Sequence, residues 1–413
     1  MKGERRRILF VAEAVTLAHI ARPLVLASAL DTAGYDVTLA CDEAWSWLLP
    51  DCRFRVRRVS SISSAVFLRA LARGSPVYDA QTLRSYVAAD LALIEAVRPD
   101  LIVGDFRLSL SVSARLAGIR YVALSNAYWS PYARCHYVVP SLPMTRILPI
   151  GMAGAVFALV RPIAFALHAQ PLNQVRKEFG LHSLGSDLRR TYTDGDFVLY
   201  ADVPGMFPLS GQPDSHQHLG PIIWSPPIPR PEWWALLPDD RPIVYVTLGS
   251  SGKAQILPGI LDALAGLPVH VLVATAGAGV GDAPPANAHL ADYLPGAEAA
   301  RRASLVVCNG GSPTCHQALA AGVPVVGIAG NLDQFLNMTA IVDMGAGTMV
   351  RADRFDSRTF RRIVQTVLGD PSYAACAARA ATSFAQYPAV ERFERFLVQW
   401  LPFREGASPG GRG

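Results

Sequence analysis

Two segments of the C-terminal half carry residues that could grip a phosphorylated sugar. In the first, Gly310-Gly311-Ser312-Pro313 follows directly on the apolar run 305–308. Paired glycines let a ligand approach the backbone, Ser312 can cap a helix, and Pro313 suits that helix's first position. The free N–H groups and positive dipole end of such a helix form an anion site suited to a diphosphate. Taken alone, the same residues also read as a plain strand-to-helix turn. In the second segment, Gly322-Val323-Pro324 and another apolar run lead to Asn331-Leu332-Asp333-Gln334, with Asn337 one turn on. Asp333 and Gln334 supply acceptors and a donor for sugar hydroxyls, although an Asp capping the next helix is the simpler reading.

The N-terminal half holds a separated imidazole and carboxylate. His19 lies in Leu17-Ala18-His19-Ile20-Ala21-Arg22-Pro23-Leu24, just past the apolar run 8–12, and Asp105 closes the run 101–104. Each falls at the carboxyl end of a strand, where open α/β sheets bind ligands. Asp194-Gly195-Asp196 has the look of a metal-binding D-x-D but precedes a strand, and reads as a surface turn.

The elements that would position these residues alternate regularly. Strands are expected at 8–12, 37–40, 101–104, 121–124 and 197–200, with helices such as 22–33 and 85–96 between them. Strands at 243–248, 269–274, 305–308 and 325–329 follow, with helices at 257–265, 314–321 and 336–344. Continuous Val/Ile/Leu strands separated by helices indicate parallel sheets covered on both faces. Between the halves runs Ser225-Pro226-Pro227-Ile228-Pro229-Arg230-Pro231, too stiff and proline-rich for a sheet interior. The 413 residues suit two domains of about 200 each. The expectation is an α/β chain of two tandem Rossmann-like, doubly wound domains facing across a cleft. Residues 1–224 and 234–403 form the domains, 225–233 the linker, and 404–413 a disordered tail.

The segment 309–347 resembles the donor-binding signature of family-1 glycosyltransferases, the group of plant UDP-glycosyltransferases and bacterial macrolide glycosyltransferases. That pattern runs H-G-G-x-G-T-x-x-E-A-L-x-x-G-V-P, then D-Q-x-x-N-A, then G-x-G. Gly310, Gly311, Thr314, Ala318, Leu319, Gly322, Val323, Pro324, Asp333, Gln334, Asn337, Gly345 and Gly347 match it in order. The resemblance implies a GT-B fold. It implies that Asp333 and Gln334 hold the donor sugar, and that Gly310, Gly311, Ser312 and Thr314 lie near the diphosphate. Ser250 and Ser251 would close over the diphosphate, and Leu294 would lie near the nucleotide base. It makes His19 the general base and Asp105 the group that orients it. The implied reaction is inverting and metal-independent, with a UDP- or TDP-sugar as co-substrate and no further cofactor. The chain departs from the pattern at Asn309 (for His), Pro313 (for Gly) and Gln317 (for Glu), and Ala18 replaces the usual Gly before His19. An uncharged Asn309 loses charge assistance toward phosphate, while Gln317 can still bond ribose hydroxyls. These departures leave open a catalytically silent partner protein that binds a nucleotide sugar. A sugar-nucleotide epimerase is the weaker third reading.

Composition narrows the partners. Hydrophobic residues make up 51%, charged residues 17%, and the net charge of +5 is spread thinly. No basic stripe interleaved with aromatics suggests nucleic acid. The cysteines (Cys41, Cys52, Cys135, Cys308, Cys315, Cys376) show no metal or redox spacing, as in a cytoplasmic protein. Residues 147–160 are uncharged but too few to span a bilayer, and Arg161-Pro162 breaks the run, so a buried or interfacial helix is expected. The apolar stretch 138–167, with Tyr128, Trp129 and Val66-Phe67-Leu68, suggests either core packing or a pocket for a hydrophobic acceptor. The latter suits peripheral contact with a membrane surface. The oligomeric state stays open.

Overall fold

The computed structural model describes residues 5–49, 52–249, 251–280 and 284–401. Ser250 and the expected tail 404–413 lie outside the described residues. The first of two compact units is built on a parallel sheet of β1 (Arg6–Ala12), β2 (Tyr35–Cys41), β3 (Arg55–Arg58), β4 (Leu101–Asp105), β5 (Tyr121–Ser125), β6 (Phe197–Tyr200) and β7 (His216–His218). Its order is β3-β2-β1-β4-β5-β6-β7. Central strands are apolar throughout because helices cover both faces: Ile8, Leu9, Phe10 and Val11 are completely buried. The connection reverses direction between β1 and β4, which pair in parallel and leave a crevice at their carboxyl ends.

The second unit repeats this plan with β8 (Ile243–Thr247), β9 (His270–Ala274), β10 (Ala288–Ala291), β11 (Leu305–Cys308), β12 (Val325–Ala329) and β13 (Gly347–Arg351). The order β10-β9-β8-β11-β12-β13 puts its reversal between β8 and β11. Both units are Rossmann-like, as expected.

The units exchange segments, so their boundaries differ from a single division at the proline-rich linker. Cys135–Ala158 belongs to the second unit, and the chain from Tyr387 returns to the first. Polar contacts hold the earlier segment: Arg351 donates to the Val139 carbonyl (2.7 Å), Ser141 N–H to the Gly330 carbonyl (2.8 Å) and Arg354 to the Thr145 carbonyl (2.7 Å). Aromatic packing holds the returning helix Ala389–Trp400, with Phe393 on Phe10 (6.0 Å) and Trp400 on Phe197 (4.7 Å).

One expectation needs correcting. Arg161-Pro162 does not interrupt the apolar run: a single helix, Ile150–Glu178, continues for 29 residues with Pro162 and Pro171 inside it. Proline at 162 removes one bond, to the carbonyl four residues earlier, and that residue, Ala158, is exposed to water that can satisfy it.

Candidate active site

In the first unit, the reversal point brings His19 and Asp105 together. The helix Leu17–Ala29 starts immediately beyond β1, so His19 falls in its first turn, while Asp105 ends the neighbouring β4. His19 Nδ1 lies 2.8 Å from Asp105 Oδ1, and the Asp105 side chain is fully buried. Because an ionised carboxylate can only accept, this contact assigns the proton of the neutral ring to Nδ1 and leaves Nε2 its lone pair, although Arg22 Nη2 also lies 3.2 Å from Nδ1 and competes as a donor to it. Nε2 has no hydrogen-bond partner among the described residues, and the His19 side chain is 18% exposed. The ring stacks on Phe106 with centroids 4.8 Å apart and planes at 13°.

Two neighbours were not assigned a role from the sequence. Arg22 forks onto Asp105, with Nε to Oδ2 and Nη2 to Oδ1 both at 2.7 Å, and its Nη1 donates to Asn126 Oδ1 at 2.8 Å. Burial opposes its charge, but the Asp105 carboxylate more than offsets this and holds the guanidinium above its usual range. Asp105 therefore serves one standing cation, Arg22, and the imidazole of His19, and its orientation is fixed whether or not His19 is protonated. Three residues separate Arg22 from His19 on one helix, a spacing that puts both on the same face. Phe106 is the second neighbour. It has φ +57°, a left-handed conformation costly for a bulky residue.

The structure next to Phe106 maintains that conformation. Arg107 is completely buried, with Nη1 2.8 Å from Glu13 Oε2, Nε 3.1 Å from Asp90 Oδ1 and its guanidinium 3.6 Å above the Tyr86 ring. Glu13 follows β1 directly and Arg107 follows Phe106, so this ion cluster ties together the segments that follow β1 and β4, next to the His–Asp pair. Phe67 (5.9 Å) and Tyr192 (5.1 Å) pack against Phe106, and Trp129 packs on Tyr192 (5.0 Å). Phe67 and Trp129, read from the sequence as either core packing or part of an acceptor pocket, join an aromatic wall beside His19. Tyr128 does not: it is buried against Phe207 as core.

In the second unit, the expected donor residues gather at the β8/β11 reversal, but several of their polar groups are already engaged. Gly310 has φ +81°, and a Cβ there would lie 2.6 Å from Met338 Cγ. Its carbonyl accepts from buried Asn337 Nδ2 at 2.8 Å, so the motif's asparagine holds the glycine turn in place. Gly310→Ala combines backbone strain with this collision. It is expected to cost about 2 kcal/mol or more of stability, as read by thermal melting.

Asn309 Oδ1 accepts from Gly311 N–H and its Nδ2 donates to Ser251 Oγ, both at 3.0 Å. The helix Ser312–Ala320 is capped by Gly311, not by Ser312 as expected, because Gly311 already has the extended conformation of a cap. Ser312 is buried in the first turn. With Gly311 N–H engaged and none on Pro313, Thr314 offers an N–H and a hydroxyl that have no partner among the described residues. Gln317, expected to bond ribose hydroxyls through its neutral acceptor, donates from Nε2 to the Trp224 carbonyl. Gln334 is 3% exposed and forms a capping box with Asn331: its Oε1 accepts from Asn331 N–H at 3.2 Å and also from Gly330 N–H at 2.8 Å, and Asn331 Oδ1 accepts from Gln334 N–H at 3.0 Å. Its Nε2 donates to Ser251 Oγ at 3.4 Å. Asp333 sits half-buried in the same first turn, and Leu294 is buried just before the helix Gly296–Arg302.

Lys253 went unnoticed in the sequence. It is half-buried in the loop after β8, and its ammonium has neither a hydrogen bond nor an ion pair among the described residues. Its stem passes the turn after β12: a Cβ on Gly330 would lie 3.8 Å from Lys253 Cε. Burial holds its ammonium below the usual lysine range, Arg146 and Arg351 push the same way, and Asp353 opposes them. The D-x-D lookalike is structural. Asp194 pairs with Arg115 and Arg176 (2.8 Å each), and Asp196 accepts from Tyr121 N–H (2.8 Å). Among the described residues no group of three or more His, Cys, Asp or Glu could hold a metal ion.

Comparison with known proteins decides the family. The profile of the erythromycin biosynthesis protein CIII-like C-terminal domain matches residues 256–397. A PGL/p-HBAD biosynthesis rhamnosyltransferase of Mycobacterium bovis (strain BCG / Pasteur 1173P2) is 50% identical over 386 residues, 94% of this chain and 86% of its own length. The chain belongs to the PGL/p-HBAD biosynthesis glycosyltransferases. Among solved structures, spinosyn rhamnosyltransferase SpnG complexed with thymidine diphosphate superposes with a TM-score of 0.68 at 18% identity, covering 95% of this glycosyltransferase and 99% of that chain. That likeness establishes the GT-B fold. Another relative of this glycosyltransferase, from the same M. bovis strain, is named an inactive PGL/p-HBAD biosynthesis glycosyltransferase. It is 49% identical over 262 residues, 63% of this chain and 72% of its own.

Proposed function

We propose that this glycosyltransferase moves rhamnose or a related 6-deoxyhexose, with inversion, from a TDP- or UDP-sugar to a hydroxyl of a hydrophobic or lipid acceptor, without a metal. The observation that carries this reading is the 2.8 Å contact of His19 Nδ1 with a buried Asp105, which leaves Nε2 unencumbered. The name of the 50%-identical relative supports rhamnose, and the thymidine diphosphate bound by the spinosyn enzyme supports the nucleotide.

As the acceptor oxygen bonds to C1 of the donor sugar, its proton passes to Nε2 of His19, and the C1–O bond to the nucleoside diphosphate breaks. Asp105 stabilises the imidazolium as it forms. Arg22 shares that carboxylate and so moderates the effect. Lys253 and the Thr314 N–H and hydroxyl take up charge on the departing diphosphate. Lys253 thereby supplies the charge that Asn309 lacks.

The test is nucleotide release from TDP-rhamnose and UDP-sugars in the presence of long-chain alcohols and phenols. Lys253→Met should raise the donor KM about ten- to a hundredfold, as expected for loss of a charge-assisted contact, with less effect at high salt. The competing reading, a silent nucleotide-sugar-binding partner, draws on the internally engaged Asn309, Gln317 and Gln334 and on the relative named inactive. Donor binding without release under every acceptor would establish that alternative.

A further inference from the structure

The helix Ile150–Glu178 is apolar on opposite faces. Ala153, Phe157, Phe165, Ala169, Leu172 and Val175 form its packed face and are buried. Met152, Val156, Leu159, Ile163 and Leu167 recur at three- and four-residue spacing on the other side, where Leu159 is 78% and Ile163 64% exposed. Its most apolar 18-residue window has a mean hydropathy of 1.9, yet only 17% of that window is buried. A helix apolar all round is ordinarily enclosed by protein or lipid, and soluble surfaces scatter such side chains singly. The packed face extends along most of the helix, so lipid cannot surround it as it surrounds a spanning segment.

Charge indicates what covers the exposed face. From Phe106 to Lys177 the chain has seven arginines, one lysine and no acidic residue; Arg107, Arg115 and Arg176 are ion-paired with Glu13, Asp90 and Asp194, and Glu178, which ends the helix, is paired with Arg84. Arg146 just before the helix and Lys177 in its last turn are both exposed. A second copy of the chain would bring like charges to these ends, whereas anionic headgroups complement them.

We propose that the exposed face of this helix docks on an anionic lipid surface, with its apolar side chains in the headgroup–acyl boundary and the basic residues at its ends on lipid phosphates. The proposal rests on the helix alone and is tested without turnover, so it stands or fails separately from the proposed reaction. The full chain is floated with vesicles of phosphatidylcholine, or of phosphatidylcholine with one-third phosphatidylglycerol, and compared with the variant Leu159→Gln/Ile163→Gln/Leu167→Gln. All three side chains are exposed, so no core is lost, and equal melting temperatures would verify this. The unaltered chain should partition at least about tenfold better onto the anionic vesicles, and the triple variant should lose at least about tenfold of that partition. Arg146→Gln should weaken it roughly fivefold, an effect that salt removes. The proposal is overturned if the unaltered chain floats with neither vesicle, if both vesicles bind it equally, or if the triple variant floats unchanged. It is also overturned if the chain sediments as a dimer that the triple variant dissociates, which would make a second copy the occupant.

Discussion

Replacing His19 with alanine should lower kcat about 10²–10⁴-fold, the usual contribution of a positioned general base, while the donor dissociation constant stays unchanged. The variant is expected to fold normally, because Arg22 keeps both oxygens of Asp105 satisfied after the imidazole is gone. A kinetic loss can therefore be assigned to the missing base. The loss corresponds to roughly 3–5 kcal/mol of transition-state stabilisation. Steady-state release of nucleotide, paired with calorimetric titration of donor, checks both parts. An unchanged kcat would remove His19 from the chemistry and, with it, the main support for the enzymatic reading.

Arg107→Met should be the most damaging single change to stability, at about 3–5 kcal/mol, because it strands Glu13 and Asp90 in the interior. Burial already raises the Glu13 carboxyl above its ordinary value of 4.5, and Arg107 is the main opposing influence. Without the guanidinium, Glu13 should rise further. A raised carboxyl contributes its stability below the unfolded-state value and loses it as pH climbs through the folded one. The deficit of the variant should therefore be largest at neutral pH and shrink as pH falls toward about 4.5, as urea unfolding at several pH values would measure. Adding Glu13→Gln should recover part of the loss at neutral pH. A deficit independent of pH would mean that lost packing, not a stranded carboxylate, sets the cost.

The central strands were legible because helices cover both their faces and make them continuously apolar. The four strands that escaped notice are β3, β7, β10 and β13, the edges of the two sheets. β3 reads Arg-Val-Arg-Arg and is exposed throughout, and β7 reads His-Gln-His. Neither has the apolar run by which a strand is recognised, since an edge has less to bury and gains from charge. The His19–Asp105 pair was legible because each follows a strong strand. Arg22 could have been found from its three-residue spacing to His19, and Lys253 from being one of only three lysines in the chain. In the donor segment, the motif located the right turn but not the use of each side chain. Asn309, Gln334 and Asn337 bond to glycine backbone groups, because tight turns leave such groups in need of partners, and Gln317 bonds to the Trp224 carbonyl. The sequence likewise underestimated the helix Ile150–Glu178, where proline removed one bond without ending the element.

The exchange of segments bears on attempts to build hybrid enzymes from this family. Cutting at 225–231 and grafting the rear half of a relative would replace the helix Ala389–Trp400 along with it. Phe10 and Phe197 would then have to accept whatever side chains the donor protein offers in place of Phe393, Phe396 and Trp400. A junction scheme that follows the units keeps the final helix with its own leading half and moves 135–158 with the trailing one, a cut that falls inside the continuous helix Ile150–Glu178. Specificity can be recombined in this architecture, but only by four splices instead of one.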